Sequence, residues 1–196
     1  MTLFTGSPAA SADDSQETSG TNTINGTTVN ANSAAQIAAV RFPNVTVPPG
    51  ATINSATITF DLPNAIYDDP DLAIRGSGEN NAAAFTTAAN HITNRLKTTA
   101  AVSWTAANIG IGPRNSPELK TLVQEIIGIS GWASGNAMAF YLTGTATSSF
   151  RFYAYDNGSN FATLTIDYTT AGTTAAGSKV RRQRLSTKVG GLLCSI

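Results

Sequence analysis

The sequence predicts an all-β protein: a two-sheet antiparallel β-sandwich with a jelly-roll-like topology and one amphipathic helix. Three observations carry this prediction. Short segments alternate between apolar and polar residues, turn residues separate them, and only 12% of the residues are charged. Soluble domains average about 25% charged residues, whereas Thr-, Asn- and Gly-rich chains are typical of strands and turns. About eight or nine short strands and one helix are best accommodated by two packed sheets.

The clearest strand is Ile53–Leu62, where every second residue from Ala56 onward is apolar and polar residues stand between them. This period of two indicates a half-buried strand. Asn157-Gly158 separates the last two apolar segments and predicts a hairpin between them. The remaining predicted strands are Thr23–Val29, Leu72–Gly76, Ala100–Trp104, Asn136–Leu142, Phe150–Asp156 and Phe161–Tyr168, and the apolar Ala34–Phe42 and the alternating Val45–Val47 complete the count.

One helix is predicted at about residues 116–127. Ser116 is a suitable N-cap, Pro117 fits the first helical position, and Glu118 favours the positive end of the helix dipole. Gly128 marks the end of the helix. The apolar residues of this segment share one face at helical spacing: Leu119, Leu122, Val123, Ile126 and Ile127.

Composition divides the chain into four parts. Residues 1–33 are rich in Ser, Thr, Asn and Gly, and we expect an N-terminal arm with a first edge strand. Residues 34–169 form the sandwich body, in which the polar, Ala-rich stretch 77–98 is a loop over the sandwich. Residues 170–178 have the composition of a flexible linker, and residues 179–196 form a basic tail.

The tail predicts an assembly contact. It holds five of the twelve basic residues and no acidic residue, so the rest of the chain is net acidic. Such a segment binds a negatively charged surface or another subunit. Nucleic acid is disfavoured because the patch is short and has no interleaved aromatic residues. The alternating segment Val180–Val189 is suited to pairing with the sheet edge of a neighbour. The candidate assembly residues are Lys179, Arg181, Arg182, Arg184, Lys188, Leu192 and Leu193.

Nothing in the sequence predicts catalysis. The single histidine, His91, stands in a polar segment without an evident nucleophile, and general-base chemistry needs an oriented partner. The single cysteine, Cys194, lies in the tail and has no partner for an intrachain disulfide. No zinc-ligand spacing or phosphate-binding glycine motif is present, and we expect no cofactor other than the calcium considered next.

Two acidic clusters leave calcium binding as an alternative to ordinary turn chemistry. Calcium takes six to eight oxygen ligands, and loops of β-sandwiches supply such ligands. The competing interpretation is that these acids are solvated turn residues, as Asp-Pro sequences indicate. The candidate ligands are Asp13, Asp14 and Glu17 near the start of the chain, and Asp68, Asp69 and Asp71 in a later loop.

Aromatic residues offer two interpretations as well. Exposed rings beside polar groups bind sugars, whereas buried rings pack a core or a subunit interface. Phe150 and Phe152 fall on one face of their strand and Tyr153 and Tyr155 on the other. We favour packing for most aromatic residues and keep Trp132, Tyr153 and Tyr155 as candidates for glycan or interface contacts.

Short stretches from about residue 13 to 168 together match a known type of module in their order and spacing. The matching stretches are Asp13–Glu17, Val40–Phe42, Pro49–Ala56, Arg95 with Thr98, Val102–Trp104, Ser116–Leu119, Val123–Ile126, Gly131–Ala137 and Arg151–Tyr168. Through them the body resembles a β-sandwich module of bacterial surface proteins and phage structural proteins, the DNRLRE-type domains that are similar to carbohydrate-binding modules. The resemblance implies a jelly-roll sandwich without catalytic machinery, with no ligand fixed.

A single module that begins at Met without a signal peptide favours a phage protein made in the host cytoplasm and incorporated into the virion. We expect a capsid decoration (cement) protein, or a tail or neck attachment protein, that acts by subunit contacts. Its partners are then further copies of itself, with a trimer as the first expectation, and a major capsid or tail protein. The alternative is an adhesin module for host-surface polysaccharide. No apolar segment reaches the length of a membrane span, so no membrane partner is expected.

Overall fold

The computed structural model describes residues 1–65, 71–105, 109–144 and 150–170. Antiparallel strands dominate these ranges, and they contain one α-helix, α1 (Lys120–Ile127). The strands are β1 (Thr2–Gly6), β2 (Asp14–Thr18), β3 (Thr21–Thr23), β4 (Thr28–Ala31), β5 (Gln36–Phe42), β6 (Thr52–Leu62), β7 (Asp71–Gly76), β8 (Val102–Thr105), β9 (Gly112–Asn115), β10 (Met138–Gly144), β11 (Phe150–Tyr153) and β12 (Thr163–Thr169).

The strands form two larger sheets and one strand pair. The four-stranded sheet has the order β1-β12-β6-β9, and the six-stranded sheet has the order β3-β2-β5-β10-β7-β8. Strands β11 and β4 pair with each other, and every strand pairing in the described ranges is antiparallel. Both sheets and the strand pair contribute to one apolar core. The predicted all-β sandwich is therefore confirmed.

Strand β6 shows how the alternating pattern builds this core. Ala56, Ile58, Phe60 and Leu62 are all buried, whereas the polar residues between them are partly exposed. The ring of Phe60 lies 4.8 Å from that of Phe152, measured between centroids, and contacts further aromatic rings. Burial of these large side chains on the inner face stabilises the sandwich, since apolar area removed from water is worth about 25 cal/mol per Å².

Strand β10 is buried on both faces. One face packs on the main core, and the predicted loop, residues 77–98, covers the other. Phe140 points into the main core, whereas Ala139 and Tyr141 join a smaller cluster on the opposite side of the sheet. That cluster is completed by Phe85 and Ile92 of the 77–98 segment. The prediction that this segment lies over the sandwich is confirmed, and it explains why β10 reads as a continuous apolar run.

The helix keeps its predicted apolar stripe but begins later than predicted. Leu122, Val123, Ile126 and Ile127 are buried, yet the first helical residue is Lys120. Ser116 does not cap the helix. Its hydroxyl oxygen accepts a hydrogen bond from the N–H of Ile58 at 3.0 Å, so it ties the preceding segment to β6. The capping prediction is wrong because the buried N–H of Ile58 in β6 needs an acceptor, and the Ser116 hydroxyl supplies it.

The N-terminal residues form four strands of the body, so the prediction of a separate arm over residues 1–33 is wrong. Strand β2 pairs with β5 and β3, and β1 pairs with β12 along five residues. The single strand predicted at Thr23–Val29 is replaced by β3 and β4, which belong to different sheets. Polar composition misled the prediction here because pairing with partner strands, together with the few buried apolar side chains Phe4, Val29 and Ala31, holds these segments in place.

The hairpin predicted at Asn157-Gly158 is also wrong. Strand β11 pairs with β4, whereas β12 pairs with β1 and β6, so the two flanking strands lie in different sheets. The turn residues are still used locally. Tyr155–Asn157 form one turn of 3-10 helix that ends at Gly158, whose φ of 81° is favourable for glycine.

Candidate functional site

Trp132 is not available as a sugar platform. Its side chain is buried in the main core, and its indole Nε1–H donates to the carbonyl oxygen of Val47 at 3.0 Å. A buried tryptophan whose donor is satisfied packs the core rather than contacting a ligand. The expectation that Trp132 takes part in glycan or interface contacts is therefore wrong.

Tyr153 and Tyr155 are both half-buried at the end of β11. Tyr155 is paired with Phe161, with ring centroids 5.6 Å apart and an angle of 39° between the ring planes. Phe161 is half-buried too, so this pair presents aromatic surface beside the four-stranded sheet. Sequence reasoning identified Tyr155 but missed Phe161, which had been assigned to a strand.

A small cavity of about 190 Å³ adjoins this pair. A carboxylate, an amide, hydroxyl groups and an aromatic ring meet there, which is the combination that binds sugar hydroxyls and the apolar faces of sugar rings. The hydroxyl of Thr59 is oriented by donating to Oδ1 of Asn115 at 2.8 Å. The lining residues are Thr59, Asp61, Pro113, Asn160, Phe161 and Thr163.

The first acidic cluster is used to hold the fold together. Asp13 accepts a hydrogen bond from the N–H of Ala9 at 3.0 Å and forms an ion pair with Arg41. Asp14 accepts from the N–H of Tyr155 at 2.6 Å. Burial, opposed by this hydrogen bond and assisted by the neighbouring carboxylates Asp156 and Asp13, raises the pKa of Asp14 to about 7.

Glu17 fastens the covering loop to β2. One carboxylate oxygen accepts from the N–H of Ile92 at 2.7 Å and from that of Thr93 at 3.1 Å, and the other accepts from the Thr93 hydroxyl. These contacts occupy the carboxylate that had been considered for calcium. Among the described residues, no group of three or more His, Cys, Asp or Glu side chains is arranged to hold a metal ion.

The second acidic cluster is only partly within the described ranges. Asp71 accepts a hydrogen bond from the hydroxyl of Thr105 at 2.9 Å, which joins β7 to β8. It lines a cavity of about 450 Å³ together with Ser103 and Thr143. Asp68 and Asp69 lie outside the described residues, so calcium binding at this end stays a prediction.

His91 is held by neighbours in the covering loop. Because the Arg95 guanidinium only donates, the Nη2-to-Nε2 contact of 2.6 Å makes Nε2 the acceptor, and Nδ1 then donates to the hydroxyl of Thr86. Burial and the Arg95 charge lower the pKa of His91, so the ring is neutral at neutral pH. Arg95 also binds Glu79 and the carbonyl oxygen of Ala84. These contacts brace the covering loop.

The basic tail residues, Lys179, Arg181, Arg182, Arg184, Lys188, Leu192 and Leu193, lie outside the described residues, as does Cys194. Their predicted role in assembly therefore stays a prediction. The last strand within the described residues, β12, ends at Thr169, and the basic part of the sequence begins about ten residues later.

No protein-family model and no curated protein matches the chain. The resemblance to DNRLRE-type and carbohydrate-binding modules therefore stays a prediction. In the described part of the chain, no helix has both the length and the apolar character needed to cross a membrane. The fold and its surfaces define a β-sandwich module, and its function follows as a proposal.

Proposed function

We propose that this protein is a structural component of a bacteriophage virion, a capsid decoration protein or a tail or neck attachment protein, which acts by subunit contacts. The observation that carries the proposal is the separation, along the sequence, of the packed body from the basic segment. The described residues up to 170 pack a main apolar core between paired strands, and this core includes Tyr168 of β12. The strongly basic segment 179–196 follows in the sequence, and it is the part of the chain that the proposal assigns to a partner.

The charge distribution supports an assembly role. All five charged residues of the segment 179–196 are cations, whereas the rest of the sequence has five more acidic than basic residues. Opposite charges on body and tail favour contacts between copies, and they speed the encounter with an acidic partner surface. Burial of area between subunits then supplies the stability, most economically in a closed symmetric oligomer, for which a trimer is proposed.

Removal of the tail tests the proposal. We expect deletion of residues 178–196 to lower the solution mass of the oligomer and to reduce incorporation into particles seen by electron microscopy. The matched control is Lys120→Gln, which neutralises an exposed cation of the helix and is expected to change neither readout. Unchanged mass and unchanged incorporation after the deletion would count against an assembly function.

A second candidate function is recognition of polysaccharide, and one observation favours it. The Tyr155–Phe161 pair stands beside a cavity that presents Asp61, Asn160 and Thr163. Aromatic surface beside carboxylate, amide and hydroxyl groups is suited to sugar hydroxyls. Under this second hypothesis the module attaches the particle or protein that carries it to a host-surface polysaccharide.

A glycan array followed by titration separates the two functions. If the cavity binds sugar, Phe161→Ala and Asp61→Asn are each expected to weaken binding about tenfold or more, because each removes a direct contact. Tyr153→Ala is the control, since Tyr153 is half-buried but does not line the cavity. Binding that survives both cavity variants would place the sugar elsewhere, and no binding at all would leave assembly as the function.

A further inference from the structure

The two large sheets end in four edge strands, and three of these are protected against pairing with another chain. Strand β3 is three residues long and is covered by the loop, where Asn22 donates to the carbonyl oxygen of Thr86 at 2.8 Å. Strand β9 contains Pro113. Strand β8 has four residues. Short strands, prolines and covering loops are the usual ways in which edges are blocked.

Strand β1 lacks these protections. Its residues, Thr2–Gly6, include no proline and no charged side chain, and its register with β12 is unbroken. The inward residue Phe4 is buried, whereas the outward residue Leu3 is 66% exposed. A regular, uncharged edge with an exposed leucine presents unpaired backbone groups and an apolar contact to an incoming strand.

We propose that the edge of β1 receives the segment Val180–Val189 of a second copy of this protein, which adds a strand to the four-stranded sheet. The inference rests on the proposed assembly function and names the surface that this function uses. The main chain of the incoming strand supplies hydrogen bonds, and its alternate side chains supply specificity.

The side-chain pattern of this segment fits the two faces of the sheet. Arg181, Gln183, Leu185, Thr187 and Val189 alternate with Val180, Arg182, Arg184, Ser186 and Lys188. In a strand these two sets point to opposite faces. The proposal assigns the first set to the core side beside Phe4, with Arg181 at the end of the strand, and the second set, which has three cations, to the outer side.

The outer side of the sheet supplies the complementary charge. Asp167 of β12 is directly opposite Leu3 in the register. Two strand spacings of about 4.8 Å each, ~10 Å in all, separate an added strand from β12, and an arginine and an aspartate side chain that extend toward each other across β1 span this distance. The ten residues from 170 to 179 reach up to about 33 Å, so the linker allows the segment to reach a neighbouring copy.

The test places a like charge on the edge in the full-length protein. Leu3→Lys is expected to weaken self-association about tenfold by sedimentation equilibrium, because the new ammonium faces the cations of the incoming strand. Leu3→Glu is expected to preserve association. Ile111→Lys is the matched control, since Ile111 is 65% exposed beside a different sheet edge. Combining Leu3→Lys with Arg182→Glu and Arg184→Glu is expected to restore association.

The outcomes separate this inference from the proposed function. If deletion of residues 178–196 abolishes association but Leu3→Lys behaves as Ile111→Lys does, the tail binds elsewhere and the inference is overturned. If the deletion leaves association unchanged, the proposed function fails with it. A monomer in which the tail protects β1 from hydrogen exchange would show that the segment docks on its own chain, which also overturns the inference.

Discussion

Asp14 illustrates how one buried carboxyl couples the start of the chain to its end. It is 2% exposed, and its oxygen accepts from the backbone of Tyr155, more than a hundred residues further on. Two carboxylates, Asp13 and Asp156, and the guanidinium of Arg41, which pairs with Asp13, complete the charged surroundings. Burial makes the ionised form costly here, and the fold therefore favours the protonated carboxyl.

The pKa of Asp14 predicts that stability declines as the solution becomes more basic. Its folded pKa of about 7 lies above the ordinary value of 3.8, so its stabilising contribution is complete below the ordinary value and is lost as the pH rises through 7. We expect this group to lower the free energy of unfolding by about 2 kcal/mol between about pH 5 and pH 8. Urea unfolding at several pH values measures it.

Asp14→Asn is the variant that isolates this effect. Asparagine keeps an acceptor for the N–H of Tyr155 but has no charge, so the decline should flatten. The control, Asp156→Asn, changes an exposed acid of the same cluster and should leave most of the decline in place. A decline of equal size in Asp14→Asn would assign the pH dependence to another group.

Glu17 separates a structural role from a metal site. Glu17→Gln should destabilise the protein by about 1 kcal/mol, because the amide oxygen accepts from the N–H groups of Ile92 and Thr93 without the carboxylate charge, and the amide NH2 replaces the oxygen that accepts from the Thr93 hydroxyl. Thermal unfolding measures the loss, and added calcium should not change the melting temperature of the wild-type protein. A calcium-dependent rise that Glu17→Gln removes would restore the metal interpretation.

At the scale of elements, strands hold the segment before the helix in place. Ser116 and Glu118 offer side-chain oxygens to the N–H groups of Ile58 and Ala56, at 3.0 and 2.7 Å. Gln124 repeats the arrangement further along, where its Oε1 accepts from Ile53. The helix is thus docked on β6 by side chains that satisfy backbone donors as well as by its apolar stripe.

Ser116→Ala measures the strength of this docking. The substitution leaves the buried N–H of Ile58 without its acceptor, and such a loss costs about 1–3 kcal/mol. Chemical unfolding should detect it. Ser159→Ala, at an exposed position of the loop before β12, serves as the control and should cost less than about 0.5 kcal/mol. Equal stability of the two variants would show that the hydrogen bond contributes nothing.

Elements with local periodicity were predictable from the sequence, and elements held by distant partners were not. The spacing of apolar residues predicts strand β6 and the buried face of α1, because this spacing is a property of each segment alone. Strand β2 has the sequence Asp-Ser-Gln-Glu-Thr, which has no apolar alternation. It forms a strand because it pairs with β5 and because the covering loop donates hydrogen bonds to Glu17. Its polar residues are satisfied by groups that no local pattern reveals.

At the scale of the whole molecule, the candidate sugar cavity also depends on contacts between residues that are distant in the sequence. Asp61 lies near the end of β6, Pro113 lies on β9, and Phe161 precedes β12, so their meeting depends on the order of three strands in one sheet. The sequence identified Tyr155 by the alternation of β11 but offered no signal for its partner Phe161. Jelly-roll character was predictable, whereas the strand order that builds the cavity was not.

The two ends of the protein are expected to behave in opposite ways, which is the last prediction. Deletion of residues 1–6 removes β1, the buried ring of Phe4 and the pairing with β12. We expect a loss of about 3 kcal/mol and a melting temperature lower by about 10 °C, since removal of a buried phenylalanine alone costs about that much. Deletion of residues 178–196 should leave the melting temperature of the dilute protein nearly unchanged.

Differential scanning calorimetry at low concentration measures both deletions, because dilution separates the stability of the fold from that of any assembly. The pairing of β1 with β12 joins the first described strand to the last, so loss of β1 leaves β12 as an unprotected edge of the sheet. A melting temperature that is insensitive to removal of residues 1–6 would return this segment to the role of an arm. A large decrease after removal of residues 178–196 would make the tail part of the fold, and the proposed division between a folded body and an assembling tail would fail.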